Sequence, residues 1–143
     1  MSDISTLIIR AKLNHQKRTY RDIIVSPKTS LYDLAEYIID AFDFDFDHCF
    51  GFFSSLDIFG RGKDAVHYEL FYDIGEEVEE NTQSVKKTQA NKLFFAKKDK
   101  WWMLFDYGDD WIFELECVAI NAPQTKSGTV IKISGEAPRQ YGY

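Results

Sequence analysis

Trp101-Trp102-Met103-Leu104-Phe105-Asp106-Tyr107-Gly108-Asp109-Asp110-Trp111-Ile112-Phe113-Glu114-Leu115-Glu116 is the stretch on which the fold turns. Two aromatic-rich runs flank a turn that carries the carboxylates Asp106, Asp109 and Asp110. Strand-forming residues on both sides read as a β-hairpin, with Gly108-Asp109 as a two-residue loop of the kind that primed turns favour. That register sets Tyr107 opposite Asp110, Asp106 opposite Trp111, Leu104 opposite Phe113 and Trp102 opposite Leu115. Side chains alternate faces along a strand. One face is then Trp102, Leu104, Trp111, Phe113 and Leu115, a core-like set that also takes in Asp106. The other carries Asp110, Glu114 and Glu116 beside Trp101, Met103, Phe105, Tyr107 and Ile112.

Outward from the hairpin, its second strand runs on through Val118 and Ile120, residues 121–128 form a turn-rich loop around Pro123, and 129–134 form a last strand. Residues 135–143 read as a tail. At the other end, 7–13 and 21–25 are β-rich runs separated by Asn14-His15-Gln16-Lys17, a hairpin with a turn of about four or five residues. Ser30 with Asp33 three residues on has the form of a capping box, and Leu31, Leu34, Ile38 and Phe42 follow at helical spacing. This helix, widened by Tyr37 and Ile39, is expected to lie flat across a sheet. Phe42-Asp43-Phe44-Asp45-Phe46-Asp47 alternates strictly, which suits a strand or an extended loop. Residues 49–53 read as a third strand, 54–65 as a loop with Gly60 and Gly62, and 66–72 as a fourth strand. An acidic run at 76–80 leads into a polar connection, and 85–95 has the weak pattern of a short helix. The expected fold class is α+β: one domain over 1–143, with a hairpin–helix start like that of a β-grasp domain. A mixed or mostly antiparallel sheet would carry one main helix packed on it.

Composition bounds the rest. One chain of 143 residues, 45% hydrophobic and 16% aromatic, is long enough to bury one core. The first ten residues lack the basic and apolar regions of a signal peptide, and no apolar run reaches the length of a membrane helix. A soluble, cytoplasmic protein with no membrane contact is expected. Cys49 and Cys117 form no C-x-x-C pair and read as small buried thiols. A net charge of -6 opposes a non-specific grip on phosphate backbones.

Several segments together resemble one family, the Ri-plasmid open-reading-frame-three-like proteins, often labelled insertion-element passenger proteins. The aromatic–Arg pair in an early strand is Tyr20-Arg21, and the acidic-aromatic stretch ending in His is Phe44-Asp45-Phe46-Asp47-His48. The family signature is Phe105-Asp106-Tyr107-Gly108-Asp109-Asp110-Trp111, and the closing element is Gly135-Glu136-Ala137-Pro138-Arg139-Gln140-Tyr141-Gly142. The chain departs from many members in having Asp22 after Tyr20-Arg21, and in lacking a longer acidic, Gly-rich tail. The resemblance implies association with mobile DNA but no settled activity. A recombinase name is sometimes attached, yet no residue here has the setting of a recombinase nucleophile.

The chemistry-bearing groups each have a bland reading beside the sharp one. Asp106, Asp109, Asp110, Glu114 and Glu116 are hard oxygen ligands of the kind that Mg²⁺ and Ca²⁺ take. The structural reading is favoured over the chemical one: Asp109 suits a tight loop, Glu114 and Glu116 sit on a wetted face, and Asp106 accepts a hydrogen bond from a backbone N–H or the Trp111 indole. Asp43-x-Asp45-x-Asp47 opens like a calcium loop, but His48 stands where the loop needs Gly and Ser54 where it needs Glu. His48 and Cys49 are neighbours on a strand and point apart, whereas His48 can meet Asp106 across the fold. His15 and His67 look isolated.

Three functional readings follow. The first is a small non-enzymatic binding or accessory module. It holds a protein or small-molecule ligand on a surface of Trp101, Tyr107, Glu114 and Glu116 or in the adjoining cleft, and needs no cofactor. The second is a metal-dependent hydrolase or nuclease built from Asp106, Asp109, Asp110 and His48, with a divalent metal. The third is nucleic-acid binding through Lys86, Lys87, Lys92, Lys97, Lys98 and Lys100, the basic zone that runs into Trp101 and Trp102.

Overall fold

Two strands, β1 (Leu7–Leu13) and β2 (Gln16–Val25), open the chain as an antiparallel hairpin. The computed structural model describes residues 5–55 and 66–141. The turn is Asn14-His15, shorter than expected, because the exposed polar residues 16–18 extend β2 past the covered part of the sheet. Helix α1 (Leu31–Ala41) begins where the Ser30 hydroxyl accepts a hydrogen bond from the Asp33 N–H at 3.0 Å, and it buries Leu31, Leu34, Ala35, Ile38 and Ile39. There follow β3 (Phe50–Phe53), β4 (His67–Glu69), a one-turn helix α2 (Leu70–Asp73), β5 (Thr82–Gln83), β6 (Lys100–Phe105), β7 (Trp111–Ile120) and β8 (Val130–Ser134). They form one sheet in the order β5-β4-β3-β6-β7-β1-β2-β8, antiparallel throughout except for β4 against β5. The architecture is α+β, as expected. Beyond the hairpin–helix order, β1 pairs on its other side with antiparallel β7.

One face of the sheet is the core. Leu7, Ile9, Ala11 and Leu13 of β1 meet Phe50 and Phe52 of β3, Met103 and Phe105 of β6, and Phe113 and Leu115 of β7 beneath α1. Fully burying side chains of this size contributes about 1.5–3 kcal/mol each before entropy is counted. The opposite face is laced with charge. Arg10 grips both carboxylate oxygens of Asp22 at 2.8 and 3.0 Å, Lys12 bridges Glu114 and Glu116, and Arg10 stacks 4.3 Å over the Tyr20 ring.

The central hairpin differs from expectation by one residue. Phe105 pairs with Trp111, Met103 with Phe113 and Trp101 with Leu115, so the loop comprises the five residues between Phe105 and Trp111. A one-residue slip turns a strand over. Trp101, Met103 and Phe105 therefore lie with Phe113 and Leu115 on the helix side, and Leu104 joins Phe53, Tyr107 and Ile112 on the other. The cause is backbone geometry at Asp106. It sits at φ 66, the left-handed region that Asp tolerates, and cannot continue a strand.

Two other segments differ locally. The fourth strand stops at Glu69, because α2 turns the chain so that the Asp73 carboxylate accepts hydrogen bonds from the Ser84 hydroxyl and the Val85 N–H. The helix expected within 85–95 is a single 3-10 turn, Ala90–Lys92, with Val85, Ala90, Leu93 and Phe94 buried around it. Phe42 caps α1, the extended-loop option holds from Phe44 to Asp47, and the rings of Phe42, Phe44 and Phe46 pack on Phe113, Trp111 and Phe105 respectively. Most of the loop expected at 54–65 lies outside the described residues.

The closing segment, expected as a tail, is bound back to the sheet, beginning at Gly135 (φ 75) against Thr19. A Cβ there would lie 2.5 Å from Thr19 Oγ1 and 2.9 Å from its Cα. Gly135→Ala is accordingly expected to lower stability by about 1–3 kcal/mol, read as a shift in the urea unfolding midpoint.

Candidate functional site

Three segments meet at the end of the sheet where β6 turns into β7. The loop after Phe105 is built by Asp106, whose Oδ1 accepts hydrogen bonds from the Gly108 N–H at 3.1 Å and the Asp109 N–H at 3.2 Å. Its carbonyl takes the Asp110 N–H at 2.6 Å, and its own N–H donates to the Cys49 carbonyl at 2.9 Å. Backbone donors thus satisfy the carboxylate, while the Trp111 indole nitrogen carries no hydrogen bond among the described residues. The second segment brings His48, whose Nε2 lies 3.3 Å from Asp106 Oδ2 and 3.6 Å from Asp47 Oδ1. The third is the closing segment. The Tyr141 hydroxyl is 3.1 Å from His48 Nε2 and donates to Asp47 Oδ2, and Gln140 donates to the Asp45 carbonyl and accepts from the Asp45 N–H. Hydrogen bonding to Asp47 and desolvation push the Tyr141 phenol above its ordinary value.

Of the sequence-derived candidates, Asp106 and His48 come together. Asp109 and Asp110 remain exposed in the loop, with Asp110 at φ 55, and serve the turn through their backbones. Among the described residues, no group of three or more His, Cys, Asp or Glu side chains is arranged to hold a metal ion. The expected binding surface is divided between the two faces. Trp101 packs against the core with its ring 5.8 Å from Tyr68. Tyr107 lies on the other face and donates to Glu69 at 2.7 Å. Gly51 makes room for that contact, since a Cβ there would stand 2.8 Å from Glu69 Cγ and 2.9 Å from the Tyr107 oxygen. Glu114 pairs with Lys12 and Lys17 at 3.3 and 3.2 Å, and Glu116 with Lys12. His67 is not isolated: it is buried, shares a hydrogen bond with Thr82 at 2.8 Å and stacks on Phe53. The basic-zone lysines are all exposed, and Lys86 lies 5.1 Å over the Tyr32 ring. Cys117 is buried, which pushes its thiol up to about 11, and Cys49 is likewise unpaired and raised by burial.

Beside the cluster, and sharing Gln140 and Tyr141 with it, opens a cleft of about 780 Å³. Its buried floor is Arg21 and Phe42, and its walls include Ile133, Ala137 and Pro138. The Arg21 guanidinium stacks 4.8 Å over Phe42 and donates to the carbonyls of Tyr20, Ala41, Ser134 and Gly135. Burial holds its pKa below the ordinary value. Neither Arg21 nor Tyr141 was among the candidates read from the sequence. The only signal was their place in the early aromatic–Arg pair and in the closing element.

Residues 5–140 match the family model described as plasmid pRiA4b ORF-3-like protein. A crystal structure of a protein of unknown function from Methanosarcina mazei Go1 shares the fold, with a TM-score of 0.72 and 14% identity over 97% of this chain and 74% of that one. No curated protein matches.

Two predictions follow from this geometry. Asp106→Ala removes two charge-assisted acceptor contacts and should cost about 2–3 kcal/mol. Asp106→Asn, which keeps an acceptor and tolerates the left-handed backbone, should cost clearly less in the same urea titration. Glu114 is buried, which disfavours its charge, but hydrogen bonds from Lys17 and Lys12 outweigh that and lower its pKa. A carboxylate depressed in the folded state stabilises above its unfolded pKa and loses that contribution as pH falls through the folded value. Thermal midpoints measured from neutral to acidic pH should therefore fall less steeply for Glu114→Gln than for the parent.

Proposed function

The chain belongs to the plasmid pRiA4b ORF-3-like family, and from that premise and the geometry of the sheet end we propose a cytoplasmic binding or accessory module. Its ligand, a small molecule or a segment of a protein, sits in the cleft beside His48, Asp106 and Tyr141. The observation that carries this reading is how the polar signature residues are used. Asp106 is spent on its own loop and on His48, Asp47 and Tyr141 bond each other, and Glu114 and Glu116 are tied to lysines. These groups preorganise a scaffold, and the cleft is what they frame. The family's plasmid association is compatible with an accessory role beside mobile elements. No helix among the described residues is long and apolar enough to cross a membrane.

Amide-shift mapping on isotope-labelled protein tests this, using a panel of amino acids, short peptides, nucleotides, Mg²⁺, Mn²⁺, Zn²⁺ and oligonucleotides. At least one organic class should perturb Arg21, Ile133 and Gln140, and Ile133→Trp should suppress the effect, because that exposed side chain lines the cleft. Metal-specific shifts at His48 and Asp106 that vanish in Asp106→Asn would replace the proposal with the hydrolase or nuclease reading. Salt-sensitive oligonucleotide shifts along residues 86–100 would replace it with nucleic-acid binding.

A further inference from the structure

The floor of the cleft carries an unusual charge. Arg21 is 5% exposed, and no carboxylate among the described residues lies within ion-pair distance of it. Two other buried ions are compensated by cations, Asp22 by Arg10 and Glu114 by Lys12 and Lys17, and Asp106 by backbone N–H groups and His48. Burying a cation without a counter-charge is costly, and carbonyl dipoles offset only part of that cost. Its Nε and Nη1 are used by four backbone carbonyls, whereas Nη2 has no hydrogen bond among the described residues. Nη2 alone keeps its N–H donors, so a carboxylate would be held there through that one nitrogen by a charge-assisted hydrogen bond. At the rim stand the exposed carboxylates Asp43, Asp45 and Glu136, which outnumber the exposed cation Arg139. Beside Arg21 the floor is the Phe42 ring, and the apolar side chains Ile133, Ala137 and Pro138 line the wall.

We propose that the cleft takes a zwitterion, with its carboxylate on Arg21, a short hydrocarbon body along Phe42 and Ile133, and a cationic end met by Asp43, Asp45 and Glu136. This rests on the binding-module reading and names its ligand class. A phosphate dianion is the poorer match, because the three rim carboxylates outnumber Arg139 and repel it, while a monoanion with its own cation satisfies both ends. The volume suits a small ligand. A free amino-acid-like zwitterion and the C-terminus of a peptide ending in a basic residue share this chemistry.

The test is amide-shift titration of the full chain with ε-aminocaproate, hexylamine and hexanoate, and with glycyl-glycyl-lysine as free acid and as amide. ε-Aminocaproate should shift Arg21, Ile133 and Gln140 and bind about tenfold or more tightly than either mono-functional probe, the weight of one charge-assisted contact. Asp43→Asn combined with Glu136→Gln, both at exposed positions, should bring ε-aminocaproate down to the affinity of hexanoate without weakening hexanoate itself. Arg21→Lys should lose the carboxylate preference, and the rim variant keeps the test decisive if Arg21→Lys does not fold. Binding of the free-acid tripeptide but not its amide assigns a peptide terminus; binding of ε-aminocaproate alone assigns a free zwitterion. Hexylamine binding as tightly as ε-aminocaproate overturns the inference and leaves the cleft reading intact. Silence from all five probes overturns the inference, and the broader panel then decides the cleft reading separately.

Discussion

Much of the structure depends on the left-handed backbone of Asp106 and the two N–H groups that its carboxylate holds. They end β6 two residues earlier than a Gly108-Asp109 turn would, shift the register by one residue, and so choose which side of the central hairpin faces α1. With that choice made, Met103, Phe105, Phe113 and Leu115 are buried together in the core. The same residue ties the hairpin to the start of β3 through Cys49 and to the preceding loop through His48. One side chain therefore couples register, core composition and the geometry of the sheet end.

The two faces of the sheet solve different problems. Beneath α1 the packing is apolar and continuous, and the alternating Phe42, Phe44 and Phe46 clip the end of the helix to the hairpin with their rings. On the opposite face long cationic side chains lie along the strands and pair with Asp22, Glu114 and Glu116. Such pairs contribute modestly when exposed, but the near-complete burial of Asp22 and Glu114 makes the loss of either partner costly. Acid residues that suggested a metal site in the linear sequence are thereby distributed between a turn and an ion-paired sheet face.

The candidate site was partly legible. His48 and Asp106 stood out by residue type and meet at 3.3 Å. Tyr141 and Gln140 did not, because a hydroxyl and an amide 93 to 95 positions from their partners leave no local pattern. Arg21 was masked by its place in a strand, where a cation ordinarily points to water. Only the crossing of α1, β8 and the closing segment reveals that it points inward, over Phe42 and under the cleft.

By itself the sequence determined the α+β class, the first hairpin, the capped helix and nearly all the strand positions. Each of these rests on interactions within a few residues: alternation, helical spacing and a Ser30 cap. The tertiary structure decided the hairpin register, the strand order, the docking of the closing segment and the pairing of buried charges. Those outcomes hinge on contacts between residues far apart in the chain and on backbone angles at Asp106 and Gly135, which composition and periodicity do not encode.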